Sequence, residues 1–145
     1  MLHFKQLNLH KASQATLLAG QEMEGTTEKI LLATEPHTVA NRVTGMPKGT
    51  VSLYDRTKNG SGLAPRACIV ASRSLGLTAM EALCSRDCAV ALAKVHGRQT
   101  MIASVYMDIK KPVVSKELEN IIATADKKQY PLIICLLYTS DAADE

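Results

Sequence analysis

Asn8, in Gln6-Leu7-Asn8-Leu9-His10, and Glu35, in Leu31-Leu32-Ala33-Thr34-Glu35-Pro36-His37, each stand near the end of a short apolar run. Strand ends are where α/β folds present their sites. If the two runs are neighbouring strands, an amide and a carboxylate meet on one rim. Such an oxygen-rich rim suits Mg²⁺, which takes only one or two protein carboxylates and leaves its remaining positions to waters and phosphate oxygens. The plainer alternative for Glu35 is a solvated strand end before a proline, and for His10 and His37 a place on the surface. The sequence contains no P-loop, GxSxG elbow, HExxH helix or dinucleotide fingerprint, so chemistry has to be sought at strand ends of this kind.

The elements that must position these residues are legible in the pattern. Leu2, Phe4, Leu7 and Leu9 alternate imperfectly and predict an opening strand. Lys11 to Met23 places Ala12, Ala15, Leu18, Ala19 and Met23 at helical spacing, with Gly25 as the stop. Residues 29–34 predict a second strand that Pro36 ends, so the chain opens with a β-α-β unit. Residues 41–65 hold four glycines and two prolines and read as a long surface excursion containing a short strand at Val51 to Tyr54. Further strands are predicted at 67–71, 88–95 and 100–107, the last two joined by the hairpin signal His96-Gly97-Arg98. Ser115 is placed to cap a helix carrying Leu118, Ile121, Ile122 and Ala125, and a closing strand begins at Pro131. The class is α/β with a mixed sheet.

Composition narrows the functional classes. With 46% hydrophobic and 21% charged residues over 145 positions, the chain suits a soluble, intracellular domain rather than a disordered or fibrous one. Its longest apolar run, Leu132 to Tyr138, is far short of a membrane span. Cys68, Cys84, Cys88 and Cys135 follow no disulfide framework, and the Cys84/Cys88 pair lacks companions for zinc, so all four read as buried reduced thiols. Residues 1–134 hold 17 basic and 11 acidic side chains, an excess of +6 that suits a polyanionic partner.

Taken together, "FKQLNLHKA", "LLATEPHT", "PRACIVAS" and "ALAKVHGRQTMIASVYMD", in this order and at these separations, resemble the endonuclease/exonuclease/phosphatase family. The likeness is greatest to the apurinic-type endonuclease domain of non-LTR retrotransposon polyproteins and covers residues 2–134. It implies a DNase I-like four-layered α/β sandwich with largely antiparallel sheets. It also implies Mg²⁺-dependent hydrolysis of a DNA phosphodiester, nicking nuclear DNA so that a reverse transcriptase domain in the same polyprotein can prime from the free 3′ end. By position, Asn8 matches the Asn that orients metal and phosphate, and Glu35 the metal-binding Glu. Thr34 stands where the family usually has Gln. Tyr106 matches a tyrosine that hydrogen-bonds the scissile phosphate, while Asp108 stands where relatives often have proline. Lys48 and Arg66 are candidate contacts to the DNA backbone.

The same resemblance implies a Gly-Asp-x-Asn-like motif after the Ser115 helix and an Asp-His pair beyond it, neither of which is in the sequence. Residues 1–134 therefore read as the N-terminal part of such a domain, without the general-base Asp and the catalytic His and hence inactive. Residues 135–145, CLLYTSDAADE, read as the in-frame translation of a transposase-based sequencing-library adapter. The competing expectations are a small nucleic-acid-binding protein without catalysis, and another phosphodiesterase or phosphatase of the same fold.

Overall fold

The computed structural model describes residues 2–25, 28–55, 64–107 and 116–138. Asp108, Ser115 and residues 139–145 lie outside them. The chain runs β1 (His3–Asn8), α1 (Ser13–Glu22), β2 (Lys29–Thr34), a small hairpin of β3 (Thr38–Val39) and β4 (Arg42–Val43), and β5 (Thr50–Leu53). There follow β6 (Ala67–Ser72), β7 (Thr78–Ala79), β8 (Cys88–Val95), β9 (Arg98–Met107), α2 (Lys116–Lys128) and β10 (Leu132–Tyr138).

Two four-stranded sheets result, ordered β1-β2-β6-β5 and β10-β9-β8-β7. In each, one outer strand runs parallel to its neighbour, β1 to β2 and β10 to β9, and the other pairings are antiparallel. Parallel neighbours cannot be joined by a tight turn, and α1 and α2 provide the two crossovers. Strand alternation then assigns the layers. Ile30, Leu32, Ala67, Ile69, Ala71, Ala89, Ala91 and Ile102 fill the space between the sheets. Leu31, Ala33, Cys68 and Val70 face the α1 side with Ala19 and Met23. Val90, Met101, Ala103 and Val105 pack with Ile121 and Ala125 of α2. The order helix, sheet, sheet, helix is a four-layered α/β sandwich.

The β8–β9 hairpin turns through His96 (φ 50°) and Gly97 (φ 79°) alone, with Val95 paired to Arg98. Two successive positive φ values define the tight turn that matches strand twist, which is why glycine stands at the second position.

Two helical expectations need correction. Leu18 is 54% exposed, while Thr16 and Gly20 are buried. Ala12, the helix N-cap, is exposed too. At 100° per residue the buried Thr16, Ala19, Gly20 and Met23 share one stripe, and Leu18 lies well outside it. The helix also ends at Glu22 with Met23 as its cap, ahead of Gly25. Gly20 is needed for packing instead: a Cβ there would collide with the carbonyl oxygen of Gly45, where the following loop lies on the helix.

The closing strand continues without a break across positions 134 and 135. Cys135 is buried between the sheets, with its thiol 3.0 Å from Gln6 Oε1. Any apolar stretch of this kind can extend a parallel ladder, so the strand's continuity is independent of the origin of its residues.

Candidate active site

In the β1–β2 register Asn8 lies opposite Thr34, which brings Glu35 alongside it at the same edge of the first sheet. Asn8 Nδ2 donates to Glu35 Oε1 at 3.1 Å, and Asn8 Oδ1 accepts from the His10 backbone N–H at 2.8 Å. These partners set the amide's orientation, because a carboxylate only accepts and a backbone N–H only donates. Both ends of Asn8 are thus engaged, one of them by the Glu35 carboxylate. The second carboxylate oxygen of Glu35 has no hydrogen-bond partner among the described residues.

The backbone here departs from the ordinary. His10, Lys11 and Glu35 all have left-handed φ values, 53°, 59° and 51°. Each costs roughly 1–2 kcal/mol for a side chain other than glycine, and such conformations persist only where their surroundings determine them. For Glu35 those surroundings are its N–H bonded to the Arg66 carbonyl at 2.8 Å and its carbonyl accepting from Lys11 N–H at 2.6 Å. These two bonds offset the strain and keep Glu35 half-buried at the rim.

Tyr106 reaches the same rim from the second sheet. It follows Ile102 and Ser104 on the face of β9 that looks between the sheets, and it is 7% exposed. Ser104, fully buried, donates to the Ala33 carbonyl at 2.9 Å and so ties the sheets together two residues before Glu35. Arg66, just ahead of β6, lies 4.5 Å from the centre of the Tyr106 ring and grips Asp87 through Nε at 2.6 Å and Nη2 at 2.8 Å. Tyr106 N–H in turn donates to the Asp87 carbonyl at 2.8 Å.

Asn8, Glu35, Arg66 and Tyr106 are therefore gathered on one rim. Lys48 is not. It precedes β5, whose Thr50 pairs with Ser72 at the far end of β6, whereas Ala67 at the near end pairs with Thr34. An antiparallel strand six residues long separates it from the rim, by about 3.3 Å per residue. There Lys48 lines a polar cavity of about 370 Å³ with Glu24, Glu28 and Arg73. Arg66, the other candidate contact to the DNA backbone, has its guanidinium engaged by Asp87 and set against the Tyr106 ring. His10 is exposed and His37 half-exposed, in keeping with surface positions.

Sequence patterns missed Asp87 and Ser104. Asp87 sits at the mouth of a predicted strand, but nothing local connects it to Arg66. A serine within an otherwise apolar run, Met101-Ile102-Ala103-Ser104-Val105, was the available signal that a buried acceptor faces it.

The cysteines take no part in the rim's hydrogen bonds. Burial pushes the Cys68 and Cys88 thiols up to about 12 and raises those of Cys84 and Cys135. Cys68, Cys88 and Cys135 are buried and Cys84 is partly so. No cluster of three or more His, Cys, Asp or Glu side chains occurs among the described residues, and no described helix is long and apolar enough to cross a membrane.

No family model and no curated protein matches the sequence. Among solved structures, the chain is similar to the endonuclease domain of TRAS1, a telomere-specific non-LTR retrotransposon, with a TM-score of 0.62 at 19% identity. The match covers 90% of this chain and 56% of that one, so the chain spans little more than half the length of that neighbour. The fold is thus an α/β sandwich of the DNase I-like kind, with mixed and largely antiparallel sheets, as the sequence resemblance implied.

Proposed function

We propose that the chain carries the metal- and phosphate-binding part of a nuclease site, one that nicks DNA so that a retrotransposon can insert. The observation that carries this reading is the meeting of Asn8, Glu35 and Tyr106 on one rim of a sandwich shaped like a retrotransposon endonuclease domain. A carboxylate aimed by an amide, beside a tyrosine from the facing sheet, provides a cation ligand and a hydrogen-bond donor for a phosphate oxygen.

The donor set fits Mg²⁺. Glu35 offers one carboxylate oxygen that is not engaged by described residues, and the hydroxyl of fully buried Thr34 beside it has no partner among them. A buried orphan hydroxyl next to a lone carboxylate suits a hydrated cation, which supplies waters as partners. Glu35 would hold the ion, with Asn8 keeping the carboxylate in place. Bound there, Mg²⁺ would polarise a phosphoryl oxygen and offset the charge that develops on it. Tyr106 would donate to the phosphate from the opposite side, on a ring that Arg66 keeps still.

Hydrolysis further requires a group to take a proton from water. At the described rim Asp87 is tied to Arg66, and the residue of β10 beside Tyr106 is Leu137, which packs against the inter-sheet core. Neither of these two described residues is placed to take that proton, and we infer that the rim they line binds better than it cuts, with turnover reduced on the order of 10²- to 10⁴-fold. In the proposed setting its partners are DNA and a reverse transcriptase domain in the same polypeptide.

A supercoiled plasmid incubated with the chain and Mg²⁺ tests this, with Glu35→Ala as the control. Salt-dependent DNA binding with slow or no nicking, weakened by the substitution, is the expected result. Absence of any binding to DNA or Mg²⁺ overturns the reading.

A further inference from the structure

Arg66 touches both halves of the rim. Its backbone carbonyl receives the N–H of Glu35, and its guanidinium lies 4.5 Å from the centre of the Tyr106 ring. Asp87 fixes that guanidinium through two parallel hydrogen bonds of 2.6 and 2.8 Å, with the two side chains only 14% and 13% exposed. Asp87 also fixes Tyr106 directly, by accepting its backbone N–H at 2.8 Å. The loop is closed: Arg66 to Asp87 to Tyr106 and back to Arg66.

We propose that the Arg66–Asp87 pair is a positioning device for the site. Resting on the nuclease reading above, it would set the phosphate-facing hydroxyl of Tyr106 at a fixed distance from the cation-facing carboxylate of Glu35. The physical reason lies in the partners' shapes. A guanidinium is planar and forked, so a carboxylate that engages it bidentately fixes its plane as well as its place. A plane fixed against an aromatic ring limits that ring's rotation, and a partly desolvated cation is held to the ring face by the quadrupole. Lysine, a point charge on a flexible stem, can supply the charge but not the plane. Arg66 and Asp87 are thus positioning residues that act through Tyr106, and neither needs to reach the nucleic acid itself.

The test is a double-substitution cycle read in two ways on the full chain. Tyrosine-labelled protein gives ring NMR signals, and Tyr106 is assigned by their loss in Tyr106→Phe. A short DNA duplex with Mg²⁺ gives an affinity. Arg66→Met should shift and broaden the Tyr106 signals and weaken duplex binding by about tenfold. Arg66→Lys should fall between. In the Tyr106→Phe background, Arg66→Met should cost little further affinity, because its effect passes through the lost hydroxyl. Should Arg66→Met fail to fold, Asp87→Asn serves instead, since it loosens the fork while leaving the guanidinium in place.

Full additivity of Arg66→Met and Tyr106→Phe, or unchanged Tyr106 signals in Arg66→Met and Asp87→Asn, overturns the proposal. If the unsubstituted chain binds no duplex at all, the nuclease reading fails while the ring signals still decide whether the pair holds Tyr106.

Discussion

Ser104 Oγ donates to the carbonyl of Ala33 at 2.9 Å, across the space between the two sheets, with Ser104 wholly excluded from solvent. Residues 71 apart in sequence are thereby locked two positions from both Glu35 and Tyr106. The spacing of the candidate site depends on this crossbar as much as on the residues at the rim.

Ser104→Ala should destabilise the chain by about 1 kcal/mol, the usual net worth of one buried hydrogen bond. It should also loosen the rim, seen as faster amide exchange at Glu35 than at Leu31. Denaturant unfolding and hydrogen exchange check the two effects separately. An unchanged midpoint would show that the bond is incidental.

Gly20→Ala is expected to destabilise despite the better helix propensity of alanine, which favours the substitution by about 1 kcal/mol in an exposed helix. The new methyl would press on the Gly45 carbonyl, a backbone atom that cannot step aside. Overpacking of this kind costs roughly 1–3 kcal/mol, so the thermal midpoint should fall. A rise would mean that the loop at 45–49 lifts off the helix freely.

Glu35→Gln should abolish the chain's response to Mg²⁺, because an amide offers a cation much less than a carboxylate. Asn8→Ala should weaken that response about 10-fold or more, the range seen when a group that orients a ligand is lost. Isothermal titration with Mg²⁺, before and after EDTA, measures both. Equal affinity in all three proteins would place the cation elsewhere.

Alkaline stability follows from the buried thiols. Cys68 and Cys88 are pushed from 9.0 up to about 12 by burial, so between those values the unfolded chain loses its thiol protons and the folded chain keeps them. The folded state then binds more protons than the unfolded one, and stability must fall as pH rises from about 9. Each thiol contributes a slope of up to about 1.4 kcal/mol per pH unit. Urea unfolding from pH 8 to 11 should show this decline, and Cys68→Ala should flatten it. At pH 8 both thiols should resist iodoacetamide until the chain unfolds.

Much of the local structure was legible in the sequence alone. Alternation and helical spacing depend on a residue's near neighbours, so β1, α1, β2, the β8–β9 hairpin and α2 were predictable to within a few positions. The candidate residues Asn8 and Glu35 could be singled out for the same reason, each standing where an apolar strand gives out. Their separation by one parallel crossover made their meeting a natural expectation, and the 3.1 Å hydrogen bond fulfils it.

What only the tertiary structure decided is what depends on strand order and face. Lys48 and Arg66 flank the same pair of strands, yet antiparallel pairing of β5 with β6 sends one to the far end and leaves the other at the rim. The Arg66–Asp87 grip and the Ser104–Ala33 crossbar join residues 21 and 71 positions apart, beyond the reach of any local pattern. Leu18 was misplaced because its i+3 spacing from half-buried Ala15 looks like a continuing stripe until the facing sheet shows that the buried side runs through Thr16, Ala19 and Gly20. Sequence determines which elements form because their energetics are local. Which side chains meet is settled by packing two sheets face to face, where a single register or a single strand direction moves a residue from the site to the opposite end of the molecule.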